Sequence, residues 1–332
     1  MALGFPIGDS RWKTTLTRSI MLGFACCLMA PSPSFATQGG LFGGPIGGSD
    51  MRSAYLPPPD EFFVVPIVFG QHATNSVNAT GDNGSAHVND TYIQLGGSLL
   101  YTYPVTLAGG VFASSITLSE KTIDGEIGKK KNAAHGFNDI YVDFLRWSKY
   151  IGLAGAQPGD KKLPYGLTIN TSFSAVVPST SYNSKRVIAL SRNDWVFIPN
   201  FAVSYLTGPN LSFGDGTEIS ARAYYDVSTQ NDFTKYRDGD VFVLDFAVTE
   251  RFSAIQAGLA GTLARQTTAD RLNGTAFENG NRLFALELGP VAAYDVPDWR
   301  ASFKAKLLFT AAAQNRINPP FIGILSAAFQ IF

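Results

Sequence analysis

Charge is scarce in this chain and evenly split, with only 26 Lys or Arg and 26 Asp or Glu among 332 residues. Without a basic surplus nothing tracks a phosphate backbone, which excludes an electrostatic nucleic-acid binder. The low charge also excludes a charged helical bundle or coiled coil, and an apolar content of 45% excludes a disordered chain. Cysteine is nearly absent. Both thiols, Cys26 and Cys27, lie in an N-terminal apolar run, so the chain beyond it forms no disulfide framework and no thiolate metal site. Histidine is limited to His72, His87 and His135, each expected in an outer loop. No His is therefore expected on a strand to activate a serine, and a metal site would need all three to converge. No enzymatic activity, metal or cofactor is expected. Beyond the N-terminal run no segment reaches the roughly 18 apolar residues of a membrane-spanning helix. Phe (25), Tyr (13) and Gly (33) are abundant instead, which suits aromatic-rich strands and turns.

The N-terminus reads as a targeting segment. Arg11, Lys13 and Arg18 precede the apolar run from Ser19 to Ala30, and Ser34-Phe35-Ala36 places small residues at the third and first positions before Thr37. Residues 1–36 are expected to be a Sec-type signal peptide. Neither Gly23-Phe24-Ala25 nor Phe24-Ala25-Cys26 is the Leu-led tripeptide of a lipoprotein. Residues 37–59 form a Gly/Pro-rich leader containing Gly39, Gly40, Gly43, Gly44, Gly47, Gly48 and Pro57-Pro58-Pro59. Such a segment packs no core, so it is expected to be flexible or to line a lumen. No Gly-Lys-Ser/Thr follows the glycines, which excludes a phosphate-cradling loop.

Residues 60–332 carry repeated segments of alternating character. In Trp299 to Ala311, the residues Trp299, Ala301, Phe303, Ala305, Leu307, Phe309 and Ala311 share one face, and Arg300, Ser302, Lys304, Lys306 and Thr310 the other, with Leu308 the one exception. In Thr217 to Val227, Ile219, Ala221, Ala223 and Tyr225 oppose Glu218, Ser220, Arg222, Tyr224 and Asp226. A period of two marks strands with two unlike faces. A soluble sandwich would bury the apolar face, and a membrane barrel would bury the polar one. Twelve segments begin near Glu61, Asp90, Val105, Phe137, Pro164, Asp194, Thr217, Asp240, Ser253, Asn281, Asp298 and Pro320. The connectors alternate between long polar links, such as Gln71 to Asn89 and Ser119 to Gly136, and short turns, such as Tyr103-Pro104 and Glu250 to Phe252. An even strand number with long loops at one end and tight turns at the other is the construction of an outer-membrane barrel. The stretches from Ser148 to Leu163 and from Thr207 to Gly216 depart from this pattern. Phe332 at the terminus and Tyr101, Tyr103, Trp147, Tyr150, Trp195, Tyr205, Tyr294 and Trp299 near strand ends suit interfacial girdles.

The fold class expected is therefore all-β, a single antiparallel transmembrane barrel of about 12 strands. Under this reading Asp139, Asp143, Glu218, Arg222, Asp226, Asp245, Glu287, Arg300, Lys304 and Lys306 point into the lumen as space-filling ion pairs or a polar solute path. Lys129-Lys130-Lys131 would meet solvent or lipopolysaccharide phosphates. The expected location is the cell outer membrane, and the expected partners are its lipid and lipopolysaccharide, the barrel assembly machinery and a small hydrophobic solute, with no nucleic acid.

The chain resembles the bacterial outer-membrane family of phenol-degradation meta-pathway proteins. The likeness is carried by Tyr55-Leu56-Pro57-Pro58-Pro59, Gly136-Phe137-Asn138-Asp139-Ile140-Tyr141-Val142, Asn193-Asp194-Trp195 with Pro199, Tyr236-Arg237-Asp238-Gly239-Asp240 with Leu244-Asp245-Phe246-Ala247, and Leu288-Gly289-Pro290. Where the family has Pro-Thr-Gly, this chain reads Pro178-Ser179-Thr180. The resemblance implies an outer-membrane barrel passing small hydrophobic or aromatic compounds, and it supplies no catalytic residues. The competing expectations are a closed structural or adhesive barrel whose loops bind a partner, and a secreted soluble sandwich.

Overall fold

The computed structural model describes residues 48–332 apart from 86, 153–164, 185–188, 209–210, 278–279 and 281. The expected signal peptide and the first part of the leader lie outside these residues. Twelve long strands run in sequence: β1 (Glu61–Ala73), β2 (Val88–Leu107), β3 (Gly110–Ile127), β4 (Ile140–Tyr150), β5 (Gly166–Val177), β6 (Val196–Leu206), β7 (Gly216–Ser228), β8 (Val241–Phe252), β9 (Ile255–Gln266), β10 (Phe284–Val296), β11 (Ala301–Gln314) and β12 (Phe321–Gln330). Each pairs antiparallel with its sequence neighbours, and β1 pairs with β12 from Phe63↔Gln330 to Gln71↔Ile322. The sheet is thereby closed into a barrel with no free edge among these strands, as a hydrocarbon surround requires of every backbone polar group.

The pleat decides which face is which. Leu259 (68% exposed), Leu325 (56%) and Ile219 (54%) stand on the outer surface, whereas Glu218, Asp245 and Glu287 are fully enclosed at 0%. Apolar side chains outside and charges inside is the arrangement of a membrane barrel and the reverse of a soluble sandwich. Trp195, Tyr294 and Trp299 are exposed at strand ends, and Trp195 stacks on Phe197 with ring centroids 5.9 Å apart.

Of the four prolines inside strands, Pro66, Pro199 and Pro290 have the same effect on their ladders. Pro66 pairs with Gly97 of β2, but the β1–β12 ladder skips from Val64↔Phe329 to Ile67↔Ser326. Pro199 and Pro290 likewise pair on one side, and the ladders to β7 and β11 skip past them on the other. Proline has no N–H to donate, so one neighbour loses its bond while the opposite ladder continues.

Two expected connectors are corrected. The chain does not turn at Tyr103-Pro104. β2 runs on to Leu107 through an irregularity between Thr102 and Thr106 that absorbs Pro104, and the turn falls at Ala108-Gly109 (φ 50° and 76°). Positive φ at both central residues matches the right-handed twist of a hairpin, which makes the glycine the fitting turn residue. The link from Ser119 to Gly136 is also not a loop. Its first part continues β3, and Lys130–Phe137 returns along it from Ile127↔Lys130 to Glu120↔Phe137. A second small pairing, Arg316–Asn318 with Asn75–Val77, joins the last long loop to the first.

Candidate functional site: the barrel lumen

Lumen-facing residues on β4 to β10 form a nearly continuous polar belt. Strand register places Ser148, Asn170, Ala202, Arg222, Asp245, Thr262 and Glu287 side by side around the wall. The belt does not face an open pore. The leader from Ser49 to Ala54 lies against it, crossing the lumen from β11 to β4.

Each leader residue is held by side chains from a different part of the wall. Asp50 bridges Lys304, at 3.2 Å, and Lys306. The Ser49 amide donates to Asp245 at 3.1 Å. The Arg52 guanidinium grips Asp295 through two bonds of 2.8 and 2.9 Å, its Nε donates to Gln256 at 2.7 Å, and its amide donates to Glu218. The Ser53 and Ala54 amides donate to Ser220 and Ser204, both at 3.1 Å, and the Ala54 carbonyl accepts from Ser148 at 2.6 Å. Arg222 donates to the Ser53 carbonyl and to Asn200. Met51 fills an apolar patch of Ala247, Ala260, Val291, Ala293 and Leu308. Burial alone would raise the Asp50 carboxyl, but the two lysine charges outweigh it and bring the group down to about 2. The Tyr55 hydroxyl is pushed far above its ordinary value by burial and by the Glu218 charge.

Several residues expected to line a solute path thus serve as leader contacts: Glu218, Arg222, Asp245, Lys304 and Lys306. Asp143 belongs to a wall network instead, accepting from Ser115 at 2.6 Å, from Tyr141 at 3.1 Å and from Ser174. Glu287 is paired with Arg316 at 3.0 Å, both buried, which ties the last loop inward. Asp226 is buried without a hydrogen-bond partner among the described residues. Asp139 sits just before β4, where it accepts from the amides of Ser179, Thr180 and Arg192 and organises the loop beyond β5. Arg300 is not a lumen residue. It occupies an exposed turn before β11 with φ 48°, because a short 3-10 turn over Pro297–Trp299 delays the strand until Ala301.

The wall formed by β12, β1 and β2 has a different chemistry, which the sequence reasoning missed. Register with the lumen-facing Lys306 and Ile324 places Phe63, Val65, Ile67 and Phe69 of β1 on the lumen side. Across from them on β2 stand Leu100, Ser98, Gly96 and Gln94, and on β12 Ser326 faces Ile67. These residues are only partly buried, in contrast to the fully enclosed belt of β7. The lumen is therefore divided, among the described residues, into a polar half filled by the leader and an apolar stripe that is only partly buried. The available signal was β1 itself: Glu61-Phe62-Phe63-Val64-Val65-Pro66-Ile67-Val68-Phe69 is apolar on both faces, unlike any polar-lumen strand.

At the long-loop end the stripe meets an apolar cap. Ile317, from the last loop, packs among Ala73, Val88, Ile123, Ile127 and Ala134, with Tyr92 and Leu190 against them. His72 lies on β1 rather than in a loop, bonded through Nδ1 to Thr91 at 3.0 Å, because β1 extends to Ala73. Among the described residues no group of His, Cys, Asp or Glu is placed to hold a metal ion.

A closed antiparallel barrel with lipid-facing apolar residues, an enclosed polar interior and both ends of the strand run at one rim defines an outer-membrane β-barrel. The chain belongs to the family described as "Putative MetA-pathway of phenol degradation", whose model matches residues 73–318. Among solved structures it is similar to an outer membrane channel from Pseudomonas putida, with a TM-score of 0.70 at 13% identity over 85% of this chain and 99% of that one. It also matches the β domain of a Bordetella autotransporter, with a TM-score of 0.48 at 10% identity over 82% of this chain and 100% of that one. At these identities the likeness of the channel establishes the barrel fold. No curated protein matches the chain.

Proposed function

We propose that this protein is an outer-membrane channel for the passive uptake of small hydrophobic or aromatic molecules. The observation that carries this reading is the partly open apolar stripe of Phe63, Val65, Ile67 and Phe69 beside a polar half already filled by the chain's own leader. A water-filled porin lumen is polar throughout, and an apolar wall would give hydrated solutes nothing in exchange for their hydration. An apolar ring entering the stripe leaves water at no such expense, gaining on the order of 25 cal/mol per Å² buried. The chemistry required of the protein is selection and passage, with no bond made or broken.

A closed structural barrel is the alternative, favoured by the leader's dense bonding and by the cap around Ile317. Reconstitution separates the two. Liposomes containing the purified protein should admit a neutral aromatic such as toluene into an internal reporter faster than empty liposomes admit it. Equal rates would overturn the channel reading in favour of the closed barrel.

A further inference from the structure

Where the apolar stripe meets the mouth of the lumen it ends at a cation that, among the described residues, no carboxylate contacts directly. Lys121 of β3 lies directly across from Gln94, and Gln94 directly across from Phe69, so the three share one row of the wall. Lys121 is only 7% exposed, yet among the described residues no hydrogen bond or ion pair engages it. Other enclosed lumen cations are matched: Lys306 by Asp50, Arg316 by Glu287, and Arg222 by Asn200 and a leader carbonyl. Asp139 and Arg192, of opposite sign, are the charges close enough to act on Lys121. Asp139 is already occupied by three backbone amides of the neighbouring loop.

The surroundings of Lys121 supply donors and an aromatic bed. Tyr92, on the same face of β2 as Gln94, donates its hydroxyl to Gln94 Oε1 at 2.7 Å, and Gln94 Nε2 donates to Ser119 Oγ at 2.9 Å. Gln94 presents its carbonyl oxygen to Tyr92, which leaves its second amide hydrogen available beside the ammonium group. Ser119, two residues before Lys121 on the same face, has used its oxygen as an acceptor and retains its hydrogen. Phe69 and Tyr92 meet edge to face with centroids 5.6 Å apart. An enclosed ammonium flanked by two further donors calls for an anion, because an uncompensated cation is costly in a site walled by protein. An aromatic edge on the adjacent strand calls for a flat ring.

We propose that Lys121, Gln94 and Ser119 form an anion-recognition site at the head of the stripe, which selects aromatic carboxylates by seating the carboxylate on Lys121 and the ring against Phe69 and Tyr92. The proposal rests on the channel reading and deepens it: the favoured permeant is an amphipathic acid rather than a neutral hydrocarbon. Charge-assisted hydrogen bonds of this kind favour the anion over a neutral ring of the same size by about tenfold or more.

The test compares benzoate with benzyl alcohol, two probes of like size and unlike charge, in liposomes of wild-type protein and of Lys121→Met. Wild type should bring benzoate in faster than the bilayer alone does, and Lys121→Met should lower that rate about tenfold while leaving benzyl alcohol entry within about twofold of wild type. Lys121→Arg, which keeps the charge, should retain most benzoate entry. Benzoate entry unaffected in Lys121→Met, or both probes falling together, would overturn the site while leaving the channel reading in place. Entry of neither probe through wild-type protein would instead defeat the channel reading itself. Should Lys121→Met fail to assemble, equilibrium dialysis of wild-type protein decides: benzoate should be retained more tightly than benzyl alcohol, and equal retention overturns the proposal.

Discussion

Asp50 and Lys306 form a buried ion pair across the lumen, joining a residue of the N-terminal leader to a strand 256 positions further along the chain. Lys304 reaches the same carboxylate from the next lumen-facing position of β11. These charges fasten the leader inside the barrel together with its hydrogen bonds to Ser220, Ser204 and Ser148.

Loosening that fastening should open the polar half of the lumen. Asp50→Asn leaves the buried Lys306 and the partly exposed Lys304 without their carboxylate, and a buried charge left unpaired is destabilised by roughly 3–5 kcal/mol. The expected result is a barrel that still migrates differently before and after boiling but shows higher and noisier ionic conductance in planar bilayers. Conductance identical to wild type would mean the leader does not limit ion flow. The acid dependence follows from the depressed Asp50 carboxyl. Its contribution is complete above its ordinary value of 3.8 and is lost only as pH falls toward about 2, so wild-type conductance should stay constant from neutral pH down to the ordinary carboxylate range.

The two faces of β11 give a sharper contrast. Lys304 and Lys306 face the lumen, and Ala305 between them is exposed on the outer surface. Ala305→Lys places a charge toward hydrocarbon at a cost of roughly 2–4 kcal/mol near the membrane midplane and should impair assembly. Lys304→Ala should assemble normally. Heat-modifiable mobility after refolding into lipid reads both, and equal yields would mean the faces are assigned wrongly.

The apolar stripe predicts a selective loss. Ile67→Asn puts an amide on the lumen wall beside Gly96 and Ser326 without touching the leader's contacts. Entry of a neutral aromatic should slow by about tenfold to a hundredfold, the equivalent of the roughly 1.5–3 kcal/mol that burying one large aliphatic group is worth. Ionic conductance should not change. A flux matching wild type would place the route elsewhere in the lumen.

Asp270, in the loop beyond β9, gives a pH dependence of the opposite sign from Asp50. It accepts from Tyr236, from the Gly239 amide at 2.7 Å and from Gln266 at 2.6 Å, yet burial outweighs these donors and raises its carboxyl to about 6. The ionised form is disfavoured in the docked loop, so the contribution is fully present below the ordinary value of 3.8 and lost as pH rises through about 6. Amides of the Tyr236 to Asp240 loop should therefore be better protected from hydrogen exchange at about pH 5 than at about pH 7, after correction for intrinsic rates. In Asp270→Asn that difference should vanish, and its persistence would assign the effect to another group.

Much of the wall was legible in the sequence because its determinants are local. A period of two over ten or so residues fixes a strand and divides its faces, and this located all twelve strands from Glu61 to Phe321 to within about five residues. The turn at Ala108-Gly109 is displaced from Pro104, where proline reads as a terminator, because β2 passes Pro104 in an irregularity between Thr102 and Thr106 and pairs again up to Leu107. The alternation also named most of the enclosed charges, since a charge opposite an apolar row can only face inward once lipid surrounds the barrel.

What those charges hold was decided by tertiary structure alone. Asp50 meets Lys306, and Arg52 meets Asp295, only because closure brings residues more than 240 positions apart onto one enclosed surface. No local period encodes such a pairing, and the glycines and prolines of the leader carry no pattern of their own. The apolar stripe has the same origin: β1 is apolar on both faces, and only its register with β2 and β12 shows that one of them lines the lumen. The sequence by itself determined how many strands there are and which side of each meets lipid. The closed barrel determined which part of the interior the chain fills with its own leader and which part of the wall stays apolar and only partly buried.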